Sequence, residues 1–352
     1  MTAAQTDPDL LYVGTYTEGT RSAGVYLVRM ERRSGKLWQI GAVNAGANPS
    51  FLTIHPNGRV LYAVNELDKG AVSAFAIVKS IDGLTQLNEQ PSEGGAPCYV
   101  SVDKSGRALL VANYAGGNVA LLPIEENGAL APAHVVQHSG KGPNAERQEA
   151  PHAHCILPDP SNRFVLAADL GADRVFVYRL DLDGKALRHA GEAVMRSGAG
   201  PRHIAFHPTL PLMFVANELD STVATLRFDS GSGALSPLET RSTLPAGWTG
   251  TNYPADIHVA GNGRTLYVSN RGHNSIAVFS VAESDALALQ QVISTEGDWP
   301  RNFSLHPTGR WLLVANQRSG SVIVFARDPE NGTLTPTRQR IAIPSPVCLR
   351  FA

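Results

Sequence analysis

The chain is poor in cysteine, in long apolar runs and in net charge, and each shortage closes off a class of protein. Cys98, Cys155 and Cys348, the 3 cysteines among 352 residues, are odd in number, widely spaced and each set in an apolar run. They give neither a disulfide framework nor a metal-ligand spacing, and read as buried small hydrophobes. No segment approaches 18 uninterrupted apolar residues, and Met1 to Leu10 carries neither a basic nor an apolar leader region. A soluble, cytoplasmic protein with no membrane partner is expected. The 30 Lys+Arg against 31 Asp+Glu leave a net charge of −1. Nothing draws nucleic acid to the molecule as a whole, although a local basic pocket can hide within that balance.

A P-loop, a GxGxxG turn, a GxSxG elbow and an aspartic dyad are also missing, which disfavours nucleotide-dependent and serine-nucleophile chemistry. Few segments hold a 3.6-residue apolar period over ten residues, so a barrel ringed by eight helices fails as well.

Turns and short strands are what the chain has in quantity, with 33 glycines and 23 prolines. A proline followed by a short apolar strand recurs at Pro49, Pro97, Pro151, Pro201, Pro254, Pro300 and Pro346, at intervals of 46 to 54 residues. Most are followed by a turn such as HPNGR at His55 or HPTGR at His306, then by an apolar run ending at Asn65, Asn113, Asp169, Asn217, Asn270 or Asn316. A second β-rich run comes next. Turns at Gly35, Asp82, Asn127, Asp183, Gly233, Ser284 and Asn331 lead to a last strand.

Four strands per unit and seven units predict an all-β, seven-bladed β-propeller of four-stranded antiparallel blades. Residues 1–352 then form one domain, with 1–8 a flexible N-terminal tail. The first unit lacks a proline strand and the last proline strand lacks partners, so the N- and C-terminal strands are expected to share one blade. PVCLRFA is innermost there, beside Leu11 to Gly14, and the closure removes exposed edges.

Strand direction selects one face. The proline strand crosses the ring and the second strand returns antiparallel, so residues just after each proline meet residues ending each second strand at one mouth. The repeated asparagines read as structural, satisfying backbone groups, and His55, His207 and His306 fall in turns of the opposite face. Departures from the repeat carry more information, because ionisable groups at a channel add no stability unless partnered. Arg202, His203, Asp256 and Arg301 start inner strands, and Glu218 and Arg271 end second strands. His152, His154 and His258 join them as residues that also fit satisfied core histidines. Arginines gathered at one mouth argue for a small anionic ligand, and the missing nucleophile motifs favour water-mediated acid/base attack on a carbonyl.

GPRHIAFHP at Gly200, VANEL at Val215, ADIHVAGNGRTLYVSNR at Ala255 and WPRNFSLHPTGR at Trp299, with GTYT at Gly14 and APHAH at Ala150, resemble the signatures of the seven-bladed propeller lactonase family over nearly the whole chain. The resemblance implies hydrolysis of 6-phosphoglucono-1,5-lactone to 6-phosphogluconate with no cofactor. Carried onto this sequence, the family's motifs fall on Arg202 with His203, Glu218, Asp256 with His258, and Arg301. The expected site is therefore His203, Glu218, Asp256 and His258 as catalytic groups, with Arg202, Arg271, Arg301, His152 and His154 binding substrate and no metal. A His/carboxylate pair would activate water while Arg202 and Arg301 hold the anion and the developing oxyanion. Two other readings stay open: a lactonising cyclase acting on a carboxymuconate, or another sugar-lactone hydrolase; and a non-catalytic propeller binding through Tyr99, Tyr114, Trp248 and Tyr253.

Overall fold

Each sequence repeat folds as one four-stranded antiparallel sheet, and seven such sheets make the ring. The structure is a computed structural model and describes residues 8–78, 83–282 and 286–352. The expected turns at Asp82 and Ser284, and residues 1–7 of the expected tail, lie outside the described residues. All 28 elements among the described residues are strands. Blade 1 comprises β4–β7 (52–91), blade 2 β8–β11 (97–137), blade 3 β12–β15 (153–194), blade 4 β16–β19 (201–242), blade 5 β20–β23 (253–294) and blade 6 β24–β27 (300–342). Blade 7 is closed by both ends of the chain. Its innermost strand β28 (Pro346–Phe351) pairs antiparallel with β1 (Asp9–Thr15), Val13 lying opposite Leu349, and β2–β3 (25–43) complete it.

The second strand of each blade is covered on both sides by neighbouring strands and blades, so its sequence is a continuous apolar run rather than an alternation. LMFVAN in β17 (Leu212–Asn217) and WLLVAN in β25 (Trp311–Asn316) are buried throughout. Adjacent blades interlock through these faces. Leu212, Phe214 and Val223 of blade 4 pack on Ile257, Leu266, Val268 and Phe279 of blade 5, each such side chain contributing about 1.5–3 kcal/mol by burial.

Polar side chains close the ring at both faces. Asn65, Asn113, Asn270 and Asn316 donate through Nδ2 to the carbonyls of Ala45, Ser92, Thr243 and Thr295, on the segments that enter from the preceding blade. At the opposite face, His55 and His207 reach the carbonyls of Gly106 and Gly263 in the next blade, both at 2.9 Å. His306 meets Asp9 Oδ2 at 2.9 Å across the closure.

The start of each inner strand matters most for function. Asn48, Ala96, Gly200, Trp299 and Ser345, each preceding a strand proline, have φ between 46° and 66°, a left-handed turn that is costly for all but Gly200. The register then skips a residue: between Pro97 and Tyr99, Ala153 and Cys155, Pro201 and His203, and Pro300 and Asn302. The unpaired residues are Cys98, His154, Arg202 and Arg301, and in blade 5 the skip takes in Ala255 and Asp256. A β-bulge re-aims the side chain it releases. In blade 3 the strand begins two residues after Pro151. The counterpart of Arg202 and Arg301 is thus His154, and His152 stands ahead of the strand.

Candidate functional site

All seven blades contribute to a cavity of about 280 Å³ at the mouth where the bulges lie. Tyr16 enters from blade 7, Glu66 from blade 1, Cys98 and Tyr114 from blade 2, His154 from blade 3, Glu218 from blade 4, Arg271 from blade 5 and Arg301 from blade 6. Arg147 reaches in from the 138–152 connection. Grooves of about 520 and 530 Å³ on the opposite face are larger, but turn residues such as Thr209, Asn262 and Gly309 dominate their walls. A cluster of buried charges of both signs distinguishes the smaller cavity, and such clusters gather at functional sites because they add little to the stability of a fold.

Glu218 stands at its centre. Arg271 Nη2 donates to Oε2 at 2.5 Å and Arg147 Nη2 to Oε1 at 2.5 Å. Arg202 Nε lies 2.9 Å from Oε2 in poor hydrogen-bond alignment. Burial alone would raise the Glu218 pKa, but Arg271, Arg202 and Arg147 together hold it far below the usual carboxylate range. Arg271 is brought down to about 9 by its own burial, with the neighbouring arginines adding to the effect. Arg202, only 1% exposed, donates from Nη1 to the Ala255 carbonyl at 2.7 Å and to His203 Nε2 at 3.1 Å. It lies behind Glu218, outside the cavity lining.

Arg301 differs from the other three. It lines the cavity with its guanidinium 5.4 Å from the Tyr16 ring centroid, and no described residue makes an ion pair or hydrogen bond with it. Burial works against its charge, yet Tyr16, Glu66 and Glu218 keep its pKa above the ordinary arginine value. Glu66 is bound by hydroxyls rather than by cations: Tyr16 Oη donates to both carboxylate oxygens at 2.9 Å, and Ser50 Oγ donates to Oε2.

His154 is 5% exposed, with Nδ1 3.5 Å from Cys98 Sγ and its ring edge-on to Tyr114 and His203. Its Nε2 has no hydrogen-bond partner among the described residues. Burial, followed by the charges of Arg202, His203 and Arg301, drives its pKa well below 6.5, so it is a neutral imidazole facing the cavity at pH 7.

A second polar layer lies beneath. Asp256 accepts from His203 Nδ1 at 2.9 Å, His258 Nε2 at 3.0 Å and Asn302 Nδ2 at 2.5 Å. Burial would raise its pKa, but His258 and His203 hold it well below the carboxylate range. Burial and then Arg202 lower His203 to about 3. With Nδ1–H on Asp256 and Nε2 accepting from Arg202, His203 has no lone pair free for a water molecule. His258 borders the opposite-face groove beside His306. His152 stacks on Tyr114 at 4.5 Å and touches the Tyr114 carbonyl and Glu149.

Of the nine residues expected from the sequence, Glu218, Arg271, Arg301 and His154 line the cavity together. Arg202, His203, Asp256, His258 and His152 support or surround it. Tyr16, Glu66 and Arg147 were not singled out. Glu66 had a signal, because Asn65-Glu66-Leu67 repeats Asn217-Glu218-Leu219, and Tyr16 lies in the GTYT segment. Arg147 had only the length of its insertion. No group of three His, Cys, Asp or Glu side chains among the described residues could hold a metal ion. No helix among them is long and apolar enough to cross a membrane.

Fold and site together define a seven-bladed propeller whose charged mouth is built from every blade. The model of the family "Lactonase, 7-bladed beta-propeller" matches residues 10–351, and the chain belongs to that family. It is 39% identical over 343 residues to a 6-phosphogluconolactonase of Bacillus subtilis, covering 97% of each chain. It is 31% identical to a 6-phosphogluconolactonase of Formosa agariphila, covering 95% of this chain and 96% of that one. The solved structure of the periplasmic gluconolactonase of Pseudomonas aeruginosa superposes with a TM-score of 0.92 at 34% identity, covering 98% of this chain and 99% of that one.

Proposed function

We propose that this lactone hydrolase is a 6-phosphogluconolactonase that opens 6-phosphoglucono-1,5-lactone to 6-phosphogluconate. The observation that carries the reading is Arg301: a guanidinium facing the cavity without a carboxylate of its own, where four arginines meet two carboxylates. Four guanidiniums against two carboxylates leave a positive surplus that favours an anionic substrate, and Arg301 stands open to the negative charge that develops on it. The cavity lies near the small end of the range of about 300–1,000 Å³ for ligand pockets, which suits one small metabolite better than a polymer. A phosphorylated sugar acid of central metabolism also assigns the enzyme to the cytoplasm.

In the proposed mechanism the lactone carbonyl lies against Arg301 and Arg271, which stabilise the oxyanion as the tetrahedral intermediate forms. The attacking water transfers its proton to His154 Nε2. The imidazolium so formed, buried among arginines, is a strong acid and passes that proton to the ring oxygen as the C–O bond opens. Asp256 and His203 set the position of Arg202, which with Arg271 fixes Glu218. A δ-lactone is reactive enough that acid/base and electrostatic contributions of about 10²-fold each suffice.

The test is acid release from freshly generated 6-phosphogluconolactone beside unphosphorylated gluconolactone. The phosphorylated substrate should be turned over with the higher kcat/KM. Equal turnover of the two, or a rate no faster than spontaneous opening, would refute the reading.

A further inference from the structure

The four arginines of the mouth are not equally committed. Arg202 and Arg301 are released by bulges in β16 (Pro201–Phe206) and β24 (Pro300–Leu305), and Arg271 ends β21 (Thr265–Arg271), donating also to the Tyr253 and Pro254 carbonyls. Arg147 alone comes from a connection between blades. Its side chain is 34% exposed, and beyond Glu218 Oε1 its contacts are a 3.3 Å hydrogen bond to Tyr114 Oη and the Tyr253 ring 5.9 Å away. Glu218 divides its oxygens accordingly, Oε1 held by Arg147 and Oε2 facing the two strand-borne arginines.

The backbone that carries Arg147 is fixed. Gln148, fully buried, donates from Nε2 to the Leu170 carbonyl at 2.8 Å. Gly142 N–H bonds the Gln148 carbonyl. Asp169 joins both ends of the connection, taking His138 Nδ1 at 2.6 Å and the His152 N–H at 2.7 Å. A rigid base under a half-exposed guanidinium at the rim is the arrangement of a clamp that changes partner by side-chain rotation alone.

We infer that Arg147 is the specificity-determining residue for the phosphate: it leaves Glu218 Oε1 to bind the phosphoryl group of the incoming substrate at the rim. This rests on the lactonase reading given above and adds to it the basis of discrimination. A guanidinium matches phosphate with paired donors, and Glu218, losing one of its three cations, keeps Arg271 and Arg202 and holds the pocket floor in place. A lactone without phosphate leaves Arg147 on Glu218, and its rim end unheld.

The experiment compares the wild type with Arg147→Gln and Arg147→Lys on 6-phosphogluconolactone and gluconolactone, with calorimetric binding of 6-phosphogluconate and gluconate as a second readout. Arg147→Gln should lower the preference for the phosphorylated lactone, the ratio of the two kcat/KM values, by tenfold or more, chiefly through KM. Arg147→Lys should restore part of it, as a charge without the paired donors. The ratio of the two acids' affinities should fall in parallel. Equal losses on both lactones with an unchanged affinity ratio would overturn the inference, leaving Arg147 as a prop for Glu218. If the wild type hydrolyses neither lactone, the proposed function fails by itself. The affinity ratio still decides the clamp: a tenfold fall in Arg147→Gln supports it and an unchanged ratio overturns it.

Discussion

Glu66 and Glu218 directly follow equivalent second strands, in blades 1 and 4, each within an Asn-Glu-Leu segment, and both face the same cavity. Glu218 is surrounded by the guanidiniums of Arg147, Arg202 and Arg271. Glu66 is held by the hydroxyls of Tyr16 and Ser50. The repeat thus supplies the position of a carboxylate, and the neighbouring blades supply its electrostatics. One is an anion locked in place by cations, whose charge balances the floor. The other is a carboxylate in a neutral hydrogen-bond cradle, near Arg301, the arginine of the mouth that makes no ion pair or hydrogen bond with a described residue.

The difference is tested most severely by Glu218→Gln, which keeps the shape and removes the charge. Buried guanidiniums left without a counter-charge should cost about 3–5 kcal/mol of unfolding free energy in urea, with kcat/KM falling by about 10³-fold. A loss no larger than that of Glu66→Gln would erase the distinction. His154→Gln comes next: kcat should fall by about 10²–10³-fold with the urea midpoint little changed. Rates near wild type would move the proton transfer to Glu66.

The pH dependence separates the histidine that lines the cavity from the one in the layer beneath it. His154 has its pKa held well below 6.5, so kcat/KM should be flat between pH 6 and 8; an inflection near 6.5 would contradict the assignment. His203 is lowered to about 3, so between pH 6.5 and 3 the unfolded chain binds a proton that the folded one does not. Stability should therefore fall as pH falls through that window, by up to about 1.4 kcal/mol per pH unit for this group, and His203→Gln should lose that part of the slope. Glu66→Gln, whose amide can still hydrogen-bond with Tyr16 and Ser50, should lower kcat/KM by about tenfold and stability by no more than about 1 kcal/mol. The smallest effect belongs to the far face, where His207→Ala removes one contact between blades, worth about 1 kcal/mol, and should leave turnover within a factor of two.

Much of this was legible in the residues. Seven spaced prolines, the apolar runs ending in Asn, and the mismatched chain ends specify blade number, strand order and closure, because those depend on local periodicity and turn chemistry. The same reasoning brought to one mouth four of the residues that line its cavity. It placed His203 among the catalytic groups and His154 among the substrate-binding ones, and had no access to what tells the two apart, which is what their second nitrogen touches. His203 Nε2 meets Arg202 of its own strand, whereas His154 lines the cavity and its Nε2 makes no hydrogen bond with a described residue.

Sequence alone determined a closed propeller with arginine, histidine and carboxylate at one end of its channel. Tertiary structure decided which of those groups confront one another. The bulges at Cys98, His154, Arg202 and Arg301 turn residues from separate blades toward one point. A connection outside the repeat brings Arg147 onto Glu218, 71 residues away. Such encounters depend on how blades close around a common axis, a distance in space that spacing along the chain does not encode.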